Sequence, residues 1–329
     1  MPRSAFLCFC LLLSTCFSTE AQSTRPTGVE LRFSHDRVDR IYRYFTPADL
    51  QESENPSPLV VCLHGGGTDA ATLSKSGWST VASRENFRVI YPEGLNGRWN
   101  DGRIVRKHRE QDEVTDDVDF LIQLIKHLIS TEPVDPERVY VTGLSNGGFM
   151  TQRLANEHTT MFAAAAIQIA TLPSAYRRGE LTFSPKAPLS VLFMNGTADP
   201  FMPYDGGKLT PNLFPHRIDS RTFDFGQDSA ISTDEAVGLW IKHNNLNESE
   251  VLTKTLPDQD PDDGCKVIHK SWKSTSSPLS VELYRIEGGG HTSPGGFQYL
   301  PKPVIGPVCM DINGIETIWN FFERNSRKK

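Results

Sequence analysis

Arg138-Val139-Tyr140-Val141-Thr142-Gly143-Leu144-Ser145-Asn146-Gly147 is the stretch on which the fold turns. Val139, Val141 and Thr142 are β-branched and Tyr140 is aromatic, so residues 138–142 suit a short buried strand. From Asn146 onward the apolar spacing becomes helical. Between strand and helix stands Gly-x-Ser-x-Gly, which permits a tight turn that lifts one hydroxyl to the carboxyl end of a sheet. The amino end of the following helix favours negative charge developing beside Ser145, the candidate nucleophile. An ordinary glycine-rich turn reads the same way in isolation, so the surroundings decide.

Outward from this turn, apolar runs at 59–63, 88–91, 139–142, 163–169, 189–194 and 281–286 are bounded by Gly, Pro or charge, as buried strands are. Helical spacing occupies 115–130, 146–157, 233–244 and 314–323, and Ser232 with Glu235 forms a capping box before the third. The alternation predicts an α/β fold with a mostly parallel sheet and helices on both faces. Residues 29–33 and 40–45 alternate like an antiparallel hairpin. Without a linker or internal repeat, 22–329 is expected to form one domain, with 201–231 as a long insertion or cap-like segment.

A serine hydroxyl needs a base to take its proton and an acid to orient that base. His291 follows the 281–286 strand through Gly288-Gly289-Gly290, a loop that reaches toward the turn. Asp199 follows the 189–194 strand and is the expected acid, with Asp205 the runner-up. His243 and His269 fall in a helical and a polar stretch and suit packing or surface roles. His64-Gly65-Gly66-Gly67 after the 59–63 strand offers backbone N–H groups for a carbonyl oxygen, so Gly66 and Asn146 are the candidate oxyanion-hole donors. No Lys-Ser or Lys-Thr completes a phosphate loop, which sets nucleotide binding aside, and histidines at zinc-ligand spacing do not occur. His64 is expected to be a structural hydrogen-bonder.

The 329 residues carry 34 Lys and Arg against 40 Asp and Glu, a net charge of −6, which disfavours nucleic acid and anionic membranes as partners. Arg3, the apolar run 5–17 and Thr19-Glu20-Ala21 resemble a cleaved export signal, with cleavage expected after Ala21 and a secreted or periplasmic location. The run is short for a membrane span. Loss of residues 1–21 removes one charge of each sign and leaves Cys62, Cys265 and Cys309. Export permits disulfides. Cys62 lies within an apolar run and suits the leftover buried thiol, so Cys265 and Cys309, flanking His291, are the candidate pair.

Leu63-His64-Gly65-Gly66-Gly67, Trp99-Asn100, Asp116-Asp117-Val118-Asp119, Asp135-Pro136-Glu137-Arg138-Val139-Tyr140, Gly143-Leu144-Ser145-Asn146-Gly147-Gly148, Gly196-Thr197-Ala198-Asp199-Pro200 and Gly289-Gly290-His291-Thr292 occur in this order. In them the chain resembles secreted esterases of the polyhydroxybutyrate depolymerase and feruloyl esterase group. The resemblance implies an α/β-hydrolase fold, ester hydrolysis with no cofactor or metal, and triad roles for Ser145, Asp199 and His291. Trp99 and Phe201 are the candidate substrate-binding residues, and Phe214, Phe223 and Phe225 either line an acyl pocket or fill a small core. Polymer depolymerases often add a substrate-binding module, which is not expected within these 329 residues, so short soluble esters are the expected substrates: acetyl, hydroxybutyrate-oligomer or feruloyl esters. The competing readings are a prolyl oligopeptidase-type peptidase, which usually carries a large extra domain, and a catalytically idle binding protein on the same fold.

Overall fold

The computed structural model describes residues 26–103, 115–209 and 229–327. The expected export signal, most of the expected 201–231 insertion, and Phe214, Phe223 and Phe225 lie outside the described residues. Ten strands form one sheet: β1 (Val29–His35), β2 (Val38–Phe45), β3 (Ser57–Leu63), β4 (Arg88–Pro92), β5 (Val134–Leu144), β6 (Ala164–Gln168), β7 (Ser190–Gly196), β10 (Leu252–Thr255), β11 (Lys266–Lys273) and β12 (Ser280–Glu287), while β8 (Gly207–Lys208) and β9 (Ser229–Ala230) make a separate short ribbon. The order across the sheet is β1-β2-β4-β3-β5-β6-β7-β12-β11-β10. The six strands from β4 to β12 run parallel, and antiparallel pairs close both edges.

Each central strand is apolar on both sides because helices cover both faces. Leu59, Val61, Leu63, Val139 and Val141 point to one face and pack with helices Asp117–Thr131, Asn146–Glu157 and Thr233–His243. Val60, Cys62 and Tyr140 point the other way, toward helices Trp78–Glu85 and Gly314–Glu323. A one-residue slip in β3 or β5 would exchange the two sets, so the register is tightly specified. Each fully buried Leu, Ile or Phe here stabilises the fold by about 1.5–3 kcal/mol relative to exposure. Three of the long helices carry side-chain caps: Asp116 accepts from Asp119 N, Ser232 from Glu235 N, and Asn313 from Ile315 N and Glu316 N.

Strands 59–63, 88–91, 139–142, 163–169, 189–194 and 281–286, the hairpin and the four helices all appear with small changes of boundary. The features not expected include helix Trp78–Glu85, the short β8–β9 ribbon, and the β10–β11 edge, which places His269 in a strand. Among the described residues no helix is long and apolar enough to cross a membrane.

Because β3, β5, β7 and β12 are parallel, their carboxyl ends lie along one edge of the sheet. His64, Ser145, Asp199 and His291 each follow one of those ends, the place where open α/β sheets carry their sites.

Candidate active site

Ser145 sits where β5 turns into helix Asn146–Glu157, with φ 54° and ψ −117°. For a residue bearing a side chain this left-handed geometry costs about 1–3 kcal/mol, and the packing around it enforces the turn. A Cβ on Gly143 would overlap the carbonyl of Gly147, and one on Gly147 would overlap the carbonyls of Leu63 and His64. The two motif glycines are therefore required by close backbone approach. Ser145 occupies the helix cap position, yet its hydroxyl caps nothing and has no hydrogen-bond partner among the described residues. The residue is half-buried.

Asp199 and His291 are in direct contact, with His291 Nδ1 and Asp199 Oδ2 2.6 Å apart. The other carboxylate oxygen accepts from the backbone N–H groups of Phe201 and Met202, both at 2.8 Å. An ionised carboxylate only accepts, so the imidazole proton sits on Nδ1 and the Nε2 lone pair is left for a donor. Asp205, the runner-up acid, is exposed and takes no part.

The loops that carry this pair are tied together. Ala198 N donates to Gly289 O at 3.0 Å, His291 N to Ile305 O at 2.5 Å, and Gly290 N to Pro307 O at 3.0 Å. Tyr299 donates its hydroxyl to His291 O at 2.9 Å. Gln168 links this loop to the turn at Ser145: its backbone oxygen accepts from Ser145 N at 3.0 Å and its side-chain oxygen from Ser293 Oγ at 2.7 Å. That bridge between β6 and the two loops was not foreseen.

The residues after β3 fold over the same turn. A Cβ built on Gly65 would come 3.7 Å from Ser145 Cβ, and one on Gly66 would come 3.5 Å from Asn146 Cβ and 3.7 Å from an Arg98 guanidinium nitrogen. Asn146 opens its helix, so its N–H has no partner within it, and the Gly66 N–H makes no hydrogen bond among the described residues. His64 is the structural hydrogen-bonder expected of it. Its Nε2 accepts from Gly94 N at 2.9 Å and its Nδ1 lies 2.8 Å from Gly65 O, while burial pushes its pKa down to about 4.

Trp99 and Phe201 lie beneath the surface. Trp99 is 4 % exposed and donates its indole N–H to His64 O at 3.0 Å. Phe201 is 3 % exposed and sets its ring edgewise on the His291 imidazole, 5.2 Å between centroids. Both support the loops of the site. Cys62, Cys265 and Cys309 are buried free thiols, so the disulfide expected between the last two is not formed in this structure. The Cys265 and Cys309 thiols are nevertheless close neighbours, and that contact, with burial, raises the Cys265 pKa. Their sulfurs and an Asp263 oxygen lie within 4.8 Å of one another, but the Asp263 carboxylate is already engaged by Cys265 N and Met310 N, both at 2.6 Å. A cavity of about 390 Å³ lined by Thr46, Arg88 and Glu132 opens at the amino ends of the strands, remote from Ser145.

A parallel sheet flanked by helices, with a strained serine after one strand and an acid–imidazole pair after two others, defines the α/β-hydrolase class. The prolyl oligopeptidase family model matches residues 79–177, the part of the chain around the serine turn. NocK of Nocardia uniformis subsp. tsuyamanensis, a protein named as an esterase, is 30 % identical over 287 residues, which is 86 % of this chain and 78 % of that one. Poly(3-hydroxyalkanoate) depolymerase C of Paucimonas lemoignei is 27 % identical over 251 residues, 72 % of this chain and 55 % of that one. Feruloyl esterases are also among the relatives. An acetyl xylan esterase structure from Aspergillus awamori shares the fold, with a TM-score of 0.54 and 17 % identity over 90 % of this chain and all of that one. The chain belongs to the esterase group that includes polyhydroxyalkanoate depolymerases and feruloyl esterases, and it is a carboxylic-ester hydrolase of the serine hydrolase fold.

Proposed function

We propose that Ser145, His291 and Asp199 are the catalytic triad of this esterase. The observation that carries this reading is the 2.6 Å contact between His291 Nδ1 and Asp199, on loops that Gln168 joins to the serine turn. His291 Nε2 takes the Ser145 proton as Oγ attacks the ester carbonyl, and Asp199 holds the tautomer and stabilises the imidazolium. The N–H groups of Gly66 and Asn146 receive the negative charge that develops on the carbonyl oxygen. The imidazolium then protonates the leaving alcohol, and water resolves the acyl-enzyme by the reverse route. Trp99 and Phe201 support this machinery from below.

For the substrate we propose short esters on a soluble acid or carbohydrate: acetyl, hydroxyalkanoate-oligomer or feruloyl. The names of the relatives support these acyl types, and export of the mature chain would bring it to such substrates. Replacing Ser145 by Ala, with p-nitrophenyl acetate turnover and fluorophosphonate labelling as readouts, tests the triad. Turnover falls by several orders of magnitude and labelling disappears; turnover near wild type removes Ser145 from the role. A panel of acetylated xylan, methyl ferulate, hydroxybutyrate oligomers, p-nitrophenyl palmitate and a peptide p-nitroanilide ranks the substrate classes. Palmitate or the anilide as the fastest substrate overturns the second proposal and leaves the first standing.

A further inference from the structure

The two oxyanion donors come from different parts of the chain, Gly66 from the loop after β3 and Asn146 from the helix after β5. Some element must set the gap between them. The Asn146 side chain makes three hydrogen bonds: Oδ1 accepts from Trp99 N at 2.8 Å, and Nδ2 donates to Trp99 O at 3.1 Å and to Asp101 Oδ2 at 2.5 Å. A backbone N–H can only donate and a carboxylate can only accept, so the partners fix which end of the amide is which. Asp101 is buried and is held in turn by a two-pronged contact from Arg103, whose guanidinium lies 4.1 Å from the Phe149 ring centre.

From Trp99 the chain of contacts runs on to the Gly66 loop. The Trp99 indole N–H donates to His64 O at 3.0 Å, Gly94 N to His64 Nε2 at 2.9 Å and Gly67 N to Gly97 O at 2.9 Å. Residues 94–99 are therefore clamped on one side by the Asn146 amide and on the other by residues 64–67. We infer that the Asn146 side chain and Asp101 are positioning residues that set the separation of the Gly66 and Asn146 N–H groups through Trp99 and His64. The inference rests on the oxyanion assignment above and adds to it a role for side chains that never touch the substrate. The Asn146 N–H itself survives any non-proline substitution at that position, which makes the side chain separable from the donor.

The test compares Asn146→Ala, Asp101→Asn and Trp99→Phe with wild type, measuring kcat and KM on p-nitrophenyl acetate and inhibition by a boronic acid that forms a tetrahedral serine adduct. A donor displaced by about 1 Å costs on the order of 100-fold in rate. Asn146→Ala is expected to lower kcat about 10–100-fold, with KM within threefold of wild type, and to weaken the boronic acid by a similar factor. Fluorophosphonate labelling of Ser145 persists in all three, which separates a displaced oxyanion hole from a lost nucleophile. Trp99→Phe keeps the ring and removes one donor, so it carries the test if Asn146→Ala does not fold. The inference is overturned if folded Asn146→Ala or Trp99→Phe keeps kcat within twofold, if the loss lies in KM alone, or if kcat falls while boronic acid binding is unchanged. Loss of the boronic acid effect together with fluorophosphonate labelling would instead strike the triad assignment on which it rests.

Discussion

Gly94 donates its backbone N–H to His64 Nε2, so the lone pair that would take a second proton is already engaged inside the protein. Protonating His64 breaks that bond and puts a charge in a buried place. Burial accordingly pushes its pKa down from 6.5 to about 4. The unfolded chain takes the proton first as the solution is acidified. The contribution is complete above pH 6.5 and is lost as the pH falls toward 4, and it amounts to about 2 kcal/mol between pH 7 and 5. Urea unfolding of wild type and His64→Gln at the two pH values measures it. Wild type shows the larger drop; equal drops would mean His64 is not a buried neutral histidine.

Asp199→Asn tests the orientation of the imidazole. Phe201 N–H and Met202 N–H demand an acceptor at the first oxygen position, so the new amide must turn its NH₂ toward His291. The imidazole is then forced to carry its proton on Nε2, where it cannot act as a base. Ester turnover is expected to fall about 10⁴-fold with the fold retained. Circular dichroism and p-nitrophenyl acetate kinetics check the two halves, and activity within tenfold of wild type would transfer the acid's role elsewhere.

Arg40 and Asp117 form a buried ion pair at 2.7 Å that joins β2 to the start of helix Asp117–Thr131, and the second Asp117 oxygen ties in the Trp99 loop by accepting from Asn100 N. Burial raises the Asp117 pKa, and Arg40 opposes the rise. Arg40→Ala leaves a buried carboxylate without its cation and is expected to cost about 3–5 kcal/mol in urea unfolding at pH 7. Without Arg40 the Asp117 pKa rises further, so part of the loss returns as the pH is lowered and the carboxyl takes a proton. A loss under 1 kcal/mol would show that the pair is not structural.

The Cys265 and Cys309 sulfurs lie within 4.8 Å of each other as free thiols, and a disulfide donor would join them only if each thiol gives up one proton and one electron while the donor is reduced to two thiols. The bridge is expected in protein prepared under oxidising conditions, with a stability gain of about 2–4 kcal/mol over the reduced form. Non-reducing peptide mapping and unfolding with and without reductant check it. Recovery of both cysteines freely alkylated after oxidative preparation would dismiss it.

Most of the sheet was legible because its central strands are buried on both sides and therefore written as unbroken apolar runs, as at Leu59–Leu63. The Ser145 turn, Asp199 and His291 were legible because each follows such a run at the carboxyl end. The β10 strand was not, since Leu252–Thr255 is exposed throughout and carries no run to read. Helix Trp78–Glu85 is short and ends at an ordinary left-handed Asn86. Asn146 was visible only as the owner of an N–H. Its side chain pairs with a backbone segment 47 residues earlier, and nothing in local spacing encodes such a pairing. Trp99 and Phe201 are aromatic near a site, a pattern that does not distinguish a wall facing substrate from a support underneath.

The loop that carries His291 donates its backbone N–H groups to the carbonyls of residues 305 and 307, more than 150 positions downstream of the serine turn. Sheet formation alone thus leaves the base unplaced. The segment 305–307 leaves the ribosome after every strand of the sheet, so if His291 is the base, esterase activity is expected only once these residues have docked. A burst of esterase signal in a cell-free translation would time the completion of the last loop rather than the assembly of the core.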